Sequence, residues 1–252
     1  MKLIYKNEIY EDTVSIDPSS STTGFGASNL LDRSVDIRLV FLGKDDETVT
    51  IDAGAGNTLE ADSLGLFGYN FTSSIIITIM ADSAADWVTP EFSETVTYDP
   101  EGIAHLFTQQ DKRYWRLRLQ DTSNTDPLQL GILFLGSQVD VAYLNPAFQI
   151  DRPVSTRNSF TRSNQVRGTK KFSYYDLSFK LSYLTEAKRQ DLMTVWNEHH
   201  NVEPLILLLW ENSLDVQAPI YGVINQRSSF NFKKLKEEGL GFSTSFSFRE
   251  VF

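Results

Sequence analysis

Short runs of strand length, each ended by a turn signal, recur along this chain and restrict it to a mainly β architecture. The runs alternate apolar and polar residues or are rich in β-branched and aromatic residues. Turns such as Gly43-Lys-Asp-Asp and Asp99-Pro-Glu-Gly separate them. The predicted strands are residues 35–42, 48–52, 75–80, 95–98, 114–119 and 130–135. Many short strands at this spacing are typical of a β-sandwich or barrel.

One segment near the C-terminus has the pattern of an α-helix instead. Thr185 can cap a helix over residues 185–199, which we expect to end near Asn201. The predicted buried face of this helix consists of Leu192, Val195 and Trp196. Residues 241–252 then alternate with period 2, which predicts a terminal strand with Phe242, Phe246 and Phe248 on one face.

Charge divides the chain into two parts. The 252 residues have a formal net charge of -10. Residues 1–150 contain 9 Lys and Arg against 22 Asp and Glu, whereas residues 151–252 contain 14 against 11. Phosphate backbones are bound by clustered cations, so this acidic balance argues against specific nucleic-acid binding. Together with proline breaks on either side of Phe148, the charge change predicts one module over 1–148 and a second over 149–252.

A basic arm, residues 152–171, begins the second module. Its cations, with no acid among them, are Arg152, Arg157, Arg162, Arg167, Lys170 and Lys171. Such a run is either a solvated loop or an oligomer interface. In the second case the nearest acidic surface is the first module of a neighbouring copy. Because head-to-tail contacts close into rings when the rotation permits, the arm predicts a homo-oligomeric ring.

Catalytic signatures are missing from the sequence. It contains no Gly-x-Ser-x-Gly elbow, no Ser-x-x-Lys pair, no phosphate loop and no cysteine, so we predict that the protein is not an enzyme. Adjacent His199 and His200 would point about 100° apart on a helix and could not both ligate one metal from one face. His105 stands alone and reads as a structural histidine. No cofactor is predicted, and the metal ligands, if there are any, are unknown. Acid-rich loops such as residues 45–47 are either solvated turns or a site for a structural calcium.

Neither a leader nor a membrane span is predicted. The N-terminal residues lack the apolar core of a signal peptide, so we expect synthesis in a cytoplasm. The most apolar stretches, residues 74–81 and 205–210, are far shorter than the ~20 residues that a spanning helix needs.

Residues 25–140 show an order of segments that resembles a known family. The segments include Thr50-Ile-Asp-Ala-Gly, Ala61-Asp-Ser-Leu-Gly-Leu-Phe-Gly-Tyr-Asn-Phe, Lys112-Arg-Tyr-Trp-Arg-Leu-Arg-Leu and Leu130-Gly-Ile-Leu-Phe-Leu-Gly. This order resembles the galactose-binding-like, discoidin-type jelly rolls. The resemblance implies a β-sandwich whose loops bind a sugar such as a host surface glycan. Trp87, Tyr69 and Phe67 are the aromatic candidates for glycan contact, with a place in the core as the alternative.

The second module resembles the tail-tube-like domains of long-tailed bacteriophage tail-tip proteins, including distal tail and minor tail proteins. The segments that carry this resemblance are Val166-Arg-Gly-Thr-Lys-Lys, the helix, Ile220-Tyr-Gly-Val-Ile and the final Phe-Ser-Phe-Arg-Glu-Val-Phe. It implies a β-sandwich flanked by one helix and a structural role in the virion tail tip or baseplate. The implied partners are further copies in a ring, a hexamer or a trimer, and the tail tube and hub proteins. The alternative function is a carbohydrate-binding module whose glycan contact is its main role.

Overall fold

The structure is a computed structural model that describes residues 1–141, 149–151, 153–160, 166–199, 202–209, 218–225, 232–234 and 241–251. In these residues the chain is mainly β, with one α-helix and two short 3-10 helices, Glu8–Tyr10 and Ala27–Leu31. The predicted fold class is therefore confirmed. The chain forms two compact units. The sandwich unit contains Lys2–Val139 and Leu205–Pro219, and the helix unit contains Asp140–Pro204 and Ile220–Val251.

The strands are numbered along the chain. The first eleven are β1 (Lys2–Tyr5), β2 (Ser15–Pro18), β3 (Leu39–Val40), β4 (Glu47–Asp52), β5 (Leu59–Phe67), β6 (Ile76–Asp82), β7 (Phe92–Val96), β8 (Ile103–Lys112), β9 (Tyr114–Gln120), β10 (Gln129–Leu130) and β11 (Ile132–Asp140). The remaining elements are β12 (Gln149–Asp151), β13 (Val154–Phe160), β14 (Val166–Ser173), β15 (Asp176–Leu184), α1 (Glu186–His199), β16 (Leu205–Leu208), β17 (Ile220–Ile224), β18 (Lys233–Lys234) and β19 (Phe242–Glu250).

The sandwich unit is built from two larger sheets and one small one. The first sheet is antiparallel with the order β2-β4-β9-β6-β7, and the second has the order β16-β1-β11-β5-β8. The small sheet pairs β3 with β10. Inward-facing side chains of both larger sheets form one buried cluster, in which Ile51, Trp115 and Leu117 meet Leu64 and Leu133. Burial of this apolar area is the main force that holds the two sheets together.

The helix unit contains a sheet of order β12-β15-β19-β17, with β18 also paired to β19. Thr185 precedes α1, and its Oγ1 accepts a hydrogen bond of 3.3 Å from the Lys188 amide, as the predicted cap requires. The predicted buried face of α1 is confirmed, because Leu192, Val195 and Trp196 are all buried. On β19, Phe246 and Phe248 are also buried.

Two sequence predictions were wrong in their secondary structure. The predicted strand over residues 35–42 shrinks to β3, because a turn takes its first half: the amide of Ile37 donates to the carbonyl of Ser34 at 3.3 Å. The side-chain amide of Asn29 also donates to the Arg38 carbonyl, at 2.7 Å. The solvated-loop alternative for the basic arm also fails as a description of its secondary structure, because its described residues include β13 and β14, which pair with each other as a hairpin.

Helix α1 ends at His199, close to the predicted end. The predicted module boundary after residue 148 stays a prediction, because residues 142–148 lie outside the described part of the chain.

Candidate functional site

The outward face of the five-stranded sheet is polar and carries the candidate site. Along β9 the side chains alternate, so that Trp115, Leu117 and Leu119 are buried while Arg116 and Arg118 point away from the core. The strand register places Thr50 of β4 opposite Arg116 on one side. It places Met80 of β6 opposite Arg116 on the other side.

Residues 83–91 connect β6 to β7, and two aspartates organise this loop. The Asp82 carboxylate accepts hydrogen bonds from the amides of Ala84 at 2.6 Å, Asp86 at 3.1 Å and Glu91 at 3.2 Å. These backbone hydrogen bonds favour the ionised form and lower the pKa of Asp82. One carboxylate thus joins the beginning, the middle and the end of the loop.

Asp86 holds the tip of the same loop. Its carboxylate accepts hydrogen bonds from the Thr89 hydroxyl at 2.9 Å and from the Val88 amide at 3.0 Å. The hydrogen bond from the Thr89 side chain is the main reason that the pKa of Asp86 lies below its ordinary value. Trp87 lies between Asp86 and Val88, so its backbone is fixed on both sides.

The loop brings Trp87 over the centre of the sheet. The guanidinium carbon of Arg116 lies 4.3 Å from the centroid of the Trp87 ring, which is a cation–π contact. The Nε of Arg116 donates to the Thr50 hydroxyl at 3.2 Å. Burial lowers the pKa of Arg116, and the nearby positive charge of Arg118 lowers it further. The ordinary pKa of a guanidinium is so high that Arg116 still stays charged at neutral pH. We call these three residues, Trp87, Arg116 and Thr50, the Trp87 patch.

Arg116 differs from the other cations around it. Arg113 binds Asp52 through two hydrogen bonds of 2.8 and 3.0 Å, and Arg118 binds Asp46 through two of 2.6 and 2.7 Å. In the part of the chain that the structure describes, Arg116 has no carboxylate within 4.0 Å and no hydrogen bond from its two terminal nitrogens. Over the same residues, the indole Nε1 of Trp87 also has no hydrogen-bond partner. These donors can therefore meet a ligand.

The other two predicted glycan contacts lie elsewhere. Phe67 ends β5 and is 5% exposed, so it belongs to the core. Tyr69 stacks on Phe71 with ring centroids 4.6 Å apart and donates its hydroxyl to the Asp99 carbonyl. Burial raises the pKa of Tyr69. Because Tyr69 precedes β6 and Trp87 follows it, the length of that strand, about 23 Å at ~3.3 Å per residue, lies between them along the sheet.

The predicted interface cations lie on the hairpin or outside the described residues. Arg157 is on β13, while Arg167, Lys170 and Lys171 are on β14. The backbone register pairs Thr156 with Lys170, Arg157 with Thr169 and Ser159 with Arg167. Arg152 and Arg162 lie outside the described residues.

The histidines have structural partners. His105 Nε2 lies 2.9 Å from a carboxylate oxygen of Glu94, and His199 Nδ1 lies 3.0 Å from the Glu203 carbonyl. His200 lies outside the described residues. Within the described ranges, no group of three or more acidic or histidine side chains is arranged to hold a metal. Nor does any helix there have both the length and the apolar character needed to cross a bilayer.

Sequence reasoning missed Arg116, and it noted Asp82 and Asp86 only as acidic loop residues without their role in holding the loop. The strict alternation of residues 114–119 was a signal that Arg116 faces outward, but its contact with Trp87 depends on a loop whose path the sequence does not reveal. The spacing of Asp82 and Asp86 is compatible with side-chain-to-backbone turns, although acidic residues in loops more often meet only water.

No family model and no curated protein matches the chain. Among solved structures, it is similar to a mutant of chitosan-binding module 1 from a chitosanase/glucanase of Paenibacillus sp. IK-5, with 20% identity, 52% of this chain and 98% of that chain covered, and a TM-score of 0.42. It is also similar to the lectin domain of lectinolysin complexed with Lewis B antigen, with 17% identity, 52% and 96% coverage and a TM-score of 0.41. A fucose-binding module of Streptococcus pneumoniae gives 12% identity, 52% and 95% coverage and a TM-score of 0.41. Each of the three is similar to about half of this chain.

Proposed function

We propose that this protein binds glycans through the Trp87 patch. The observation that carries the proposal is the half-buried indole of Trp87, held over the Arg116 guanidinium by an organised loop. Beside it lie hydrogen-bond donors that have no partner among the described residues. Sugar rings have an apolar C–H face and a polar rim of hydroxyls. An aromatic ring with donors at its edge is complementary to both.

The organisation of the loop favours binding. A ligand that must order a mobile loop loses affinity, because the loop gives up conformational freedom. Here the carboxylates of Asp82 and Asp86 already hold the loop through backbone hydrogen bonds. Val88, which is 91% exposed, stands beside Trp87 and gives the ligand further apolar contact.

A glycan array probed with the full chain tests this function, followed by calorimetry on the best ligand. Trp87→Ala should weaken binding by about 30-fold or more, as expected when an aromatic anchor worth about 2 kcal/mol is removed. Phe25→Ala is the matched control, because Phe25 is a 48% exposed aromatic outside the patch. Binding that survives Trp87→Ala, or an array without any bound glycan, would contradict the proposal.

We also propose that the basic arm mediates self-assembly, as a structural component of a virion tail tip would require. The favouring observation is that β13 and β14 pair only with each other among the described residues, as a separate two-stranded sheet. Changing Arg157, Arg162 and Arg167 to Glu should abolish ring assembly while the monomer stays folded, because the arm would then repel an acidic neighbour. Particle size measured by light scattering checks this. An unchanged size would refute the arm as an interface, and co-purification with tail proteins tests the tail-tip role itself.

Both proposals describe a binding protein rather than an enzyme. Turnover of a polysaccharide by the purified chain would contradict this reading.

A further inference from the structure

We infer that the ligand of the Trp87 patch is an acidic sugar, which presents a carboxylate or a sulfate to Arg116. This inference rests on the proposed glycan-binding function and narrows its ligand class. Three arginines that are close in sequence, Arg113, Arg116 and Arg118, have different partners in the protein.

Arg113 and Arg118 are both neutralised by the protein itself. Each uses Nε and one terminal nitrogen to hold both oxygens of an aspartate, at distances between 2.6 and 3.0 Å. This side-on geometry is a strong and specific form of ion pair. The sequence therefore supplies a carboxylate to an arginine on either side of Arg116 in the chain.

Arg116 is oriented, but among the described residues it binds no carboxylate. Its Nε is used by the Thr50 hydroxyl, which is uncharged, and one face of its guanidinium is covered by Trp87. A guanidinium has five N–H donors, so four of them, on the two terminal nitrogens, are left without a partner in the described part of the chain. These four donors form an end-on fork that matches the two oxygens of a carboxylate or two oxygens of a sulfate.

The aspartates around the patch have other roles. Asp46 is bound to Arg118, while Asp82 and Asp86 accept hydrogen bonds from their own loop. In the described residues no carboxylate is bound to Arg116, and Asp46, which is bound to Arg118, acts on its charge only from a greater distance. Partial burial removes water from this charge, which is unfavourable unless a ligand supplies an anion in direct contact. An oxyanion in the fork would balance it.

The number of unpaired cations limits the size of the anion. A polyanion such as a nucleic acid is held by many Lys and Arg side chains, whereas the Trp87 patch contains one. Residues 1–150 are also strongly acidic in total, which opposes binding of a long polyanion. A short glycan with one acidic group at the Trp87 ring fits these constraints.

Calorimetry on the full chain with matched probes tests the inference. The probes are a trigalacturonate and its fully methyl-esterified form, which share the same rings but differ in charge, and a 6-sulfated galacto-oligosaccharide with its unsulfated parent. We expect an acidic probe to bind at least about tenfold more tightly than its neutral counterpart, as a charge-assisted fork contact allows. Preference within the first pair or the second identifies the anion as a carboxylate or a sulfate.

Variants assign the preference to Arg116. Arg116→Gln should weaken binding of both members of a pair and make their affinities equal, and Arg116→Lys should restore part of the preference, because it keeps the charge but not the fork. Arg38→Gln removes one positive charge away from the patch and should leave the preference intact. Circular dichroism and thermal unfolding show whether each variant is folded.

Two outcomes would overturn the inference, and they differ from failure of the proposed function. If neutral probes bind as tightly as acidic ones and Trp87→Ala abolishes both, the patch binds glycans but has no acidic preference. If an acidic preference persists in Arg116→Gln, another residue recognises the anion. If no glycan of any kind binds, the proposed function itself fails.

Discussion

Two tryptophans of the sandwich unit give opposite predictions for the same substitution. Trp115 is 0% exposed and lies among aromatic rings, with its centroid 6.3 Å from that of Phe92 and 5.9 Å from that of Phe107. Its indole Nε1 donates to the Lys112 carbonyl at 3.2 Å. Trp87, in contrast, is half-buried on the outer face. Alanine at each position therefore tests whether one residue is core and the other a ligand platform.

The expected magnitudes differ several-fold. Trp→Ala in a core costs roughly 3–5 kcal/mol, through lost burial and the cavity that remains, so we expect Trp115→Ala to lower the free energy of unfolding by about 4 kcal/mol. Trp87→Ala removes chiefly one cation–π contact, which contributes about 0.5–1 kcal/mol at an exposed site. The loop keeps its hydrogen bonds, because these involve the backbone around Trp87 rather than its ring.

Urea denaturation followed by far-UV circular dichroism measures both changes. With a slope of about 2 kcal/mol per molar urea, Trp115→Ala should lower the unfolding midpoint by about 2 M and Trp87→Ala by less than about 0.5 M. If Trp115→Ala does not fold, Trp115→Phe provides a milder test at about 1–2 kcal/mol, since it retains much of the volume but loses the indole hydrogen bond. Equal destabilisation by Trp87→Ala and the Trp115 variant would identify Trp87 as a packing residue and refute the platform.

Two further predictions concern buried polar groups near β1. Asn7 donates to the Leu133 carbonyl at 3.0 Å and accepts from the Leu135 amide at 2.9 Å, so Asn7→Ala leaves two buried backbone groups unpaired and should cost about 2–4 kcal/mol by urea denaturation. An unchanged midpoint would show that water replaces the amide. Burial raises the pKa of Glu8 above 4.5, although Lys6 lies 2.9 Å away and opposes the shift, so the folded state favours the protonated carboxyl. The stability that protonation provides is complete below about pH 4 and is lost as the pH rises through the raised pKa. Glu8→Gln should therefore raise the unfolding midpoint relative to the natural chain at pH 7 but not at pH 4. A larger gain at pH 4 than at pH 7 would contradict a raised pKa for Glu8.

Local patterns predicted the regular elements well because their causes are local. The alternation in residues 114–119 became β9, and the cap and apolar face around Thr185 became α1. The predicted strand over residues 35–42 failed because the turn at Ser34 and a side-chain hydrogen bond from Asn29 take backbone groups that a strand would use. Such competition depends on neighbours in space, which a periodic pattern does not contain.

The candidate site was only partly predictable for a related reason. Trp87 was one of three aromatic candidates, and composition did not distinguish it from Phe67 and Tyr69. The distinction comes from burial and from Arg116, whose position opposite Thr50 and Met80 is a matter of strand register. Register follows from how the whole sheet packs, since a slip of one residue would turn Arg116 into the core.

Although residues 1–150 are strongly acidic in total, most of the charged side chains around Arg116 are paired with one another. Around Arg116, the other cations of residues 112–118 are paired with carboxylates, as Arg113–Asp52, Arg118–Asp46 and Lys112–Glu91. These pairs are locally neutral, so Arg116 is the one cation of residues 112–118 without a bound carboxylate, and the ionised carboxylates of Asp82 and Asp86 lie in the loop beside it. The overall negative charge of residues 1–150 does not attract anions from a distance, and binding at Arg116 must depend on the geometry of its fork. Affinity for a singly acidic sugar should accordingly fall with salt by about the amount expected for one ion pair, far less than for a protein that binds a polyanion through many contacts.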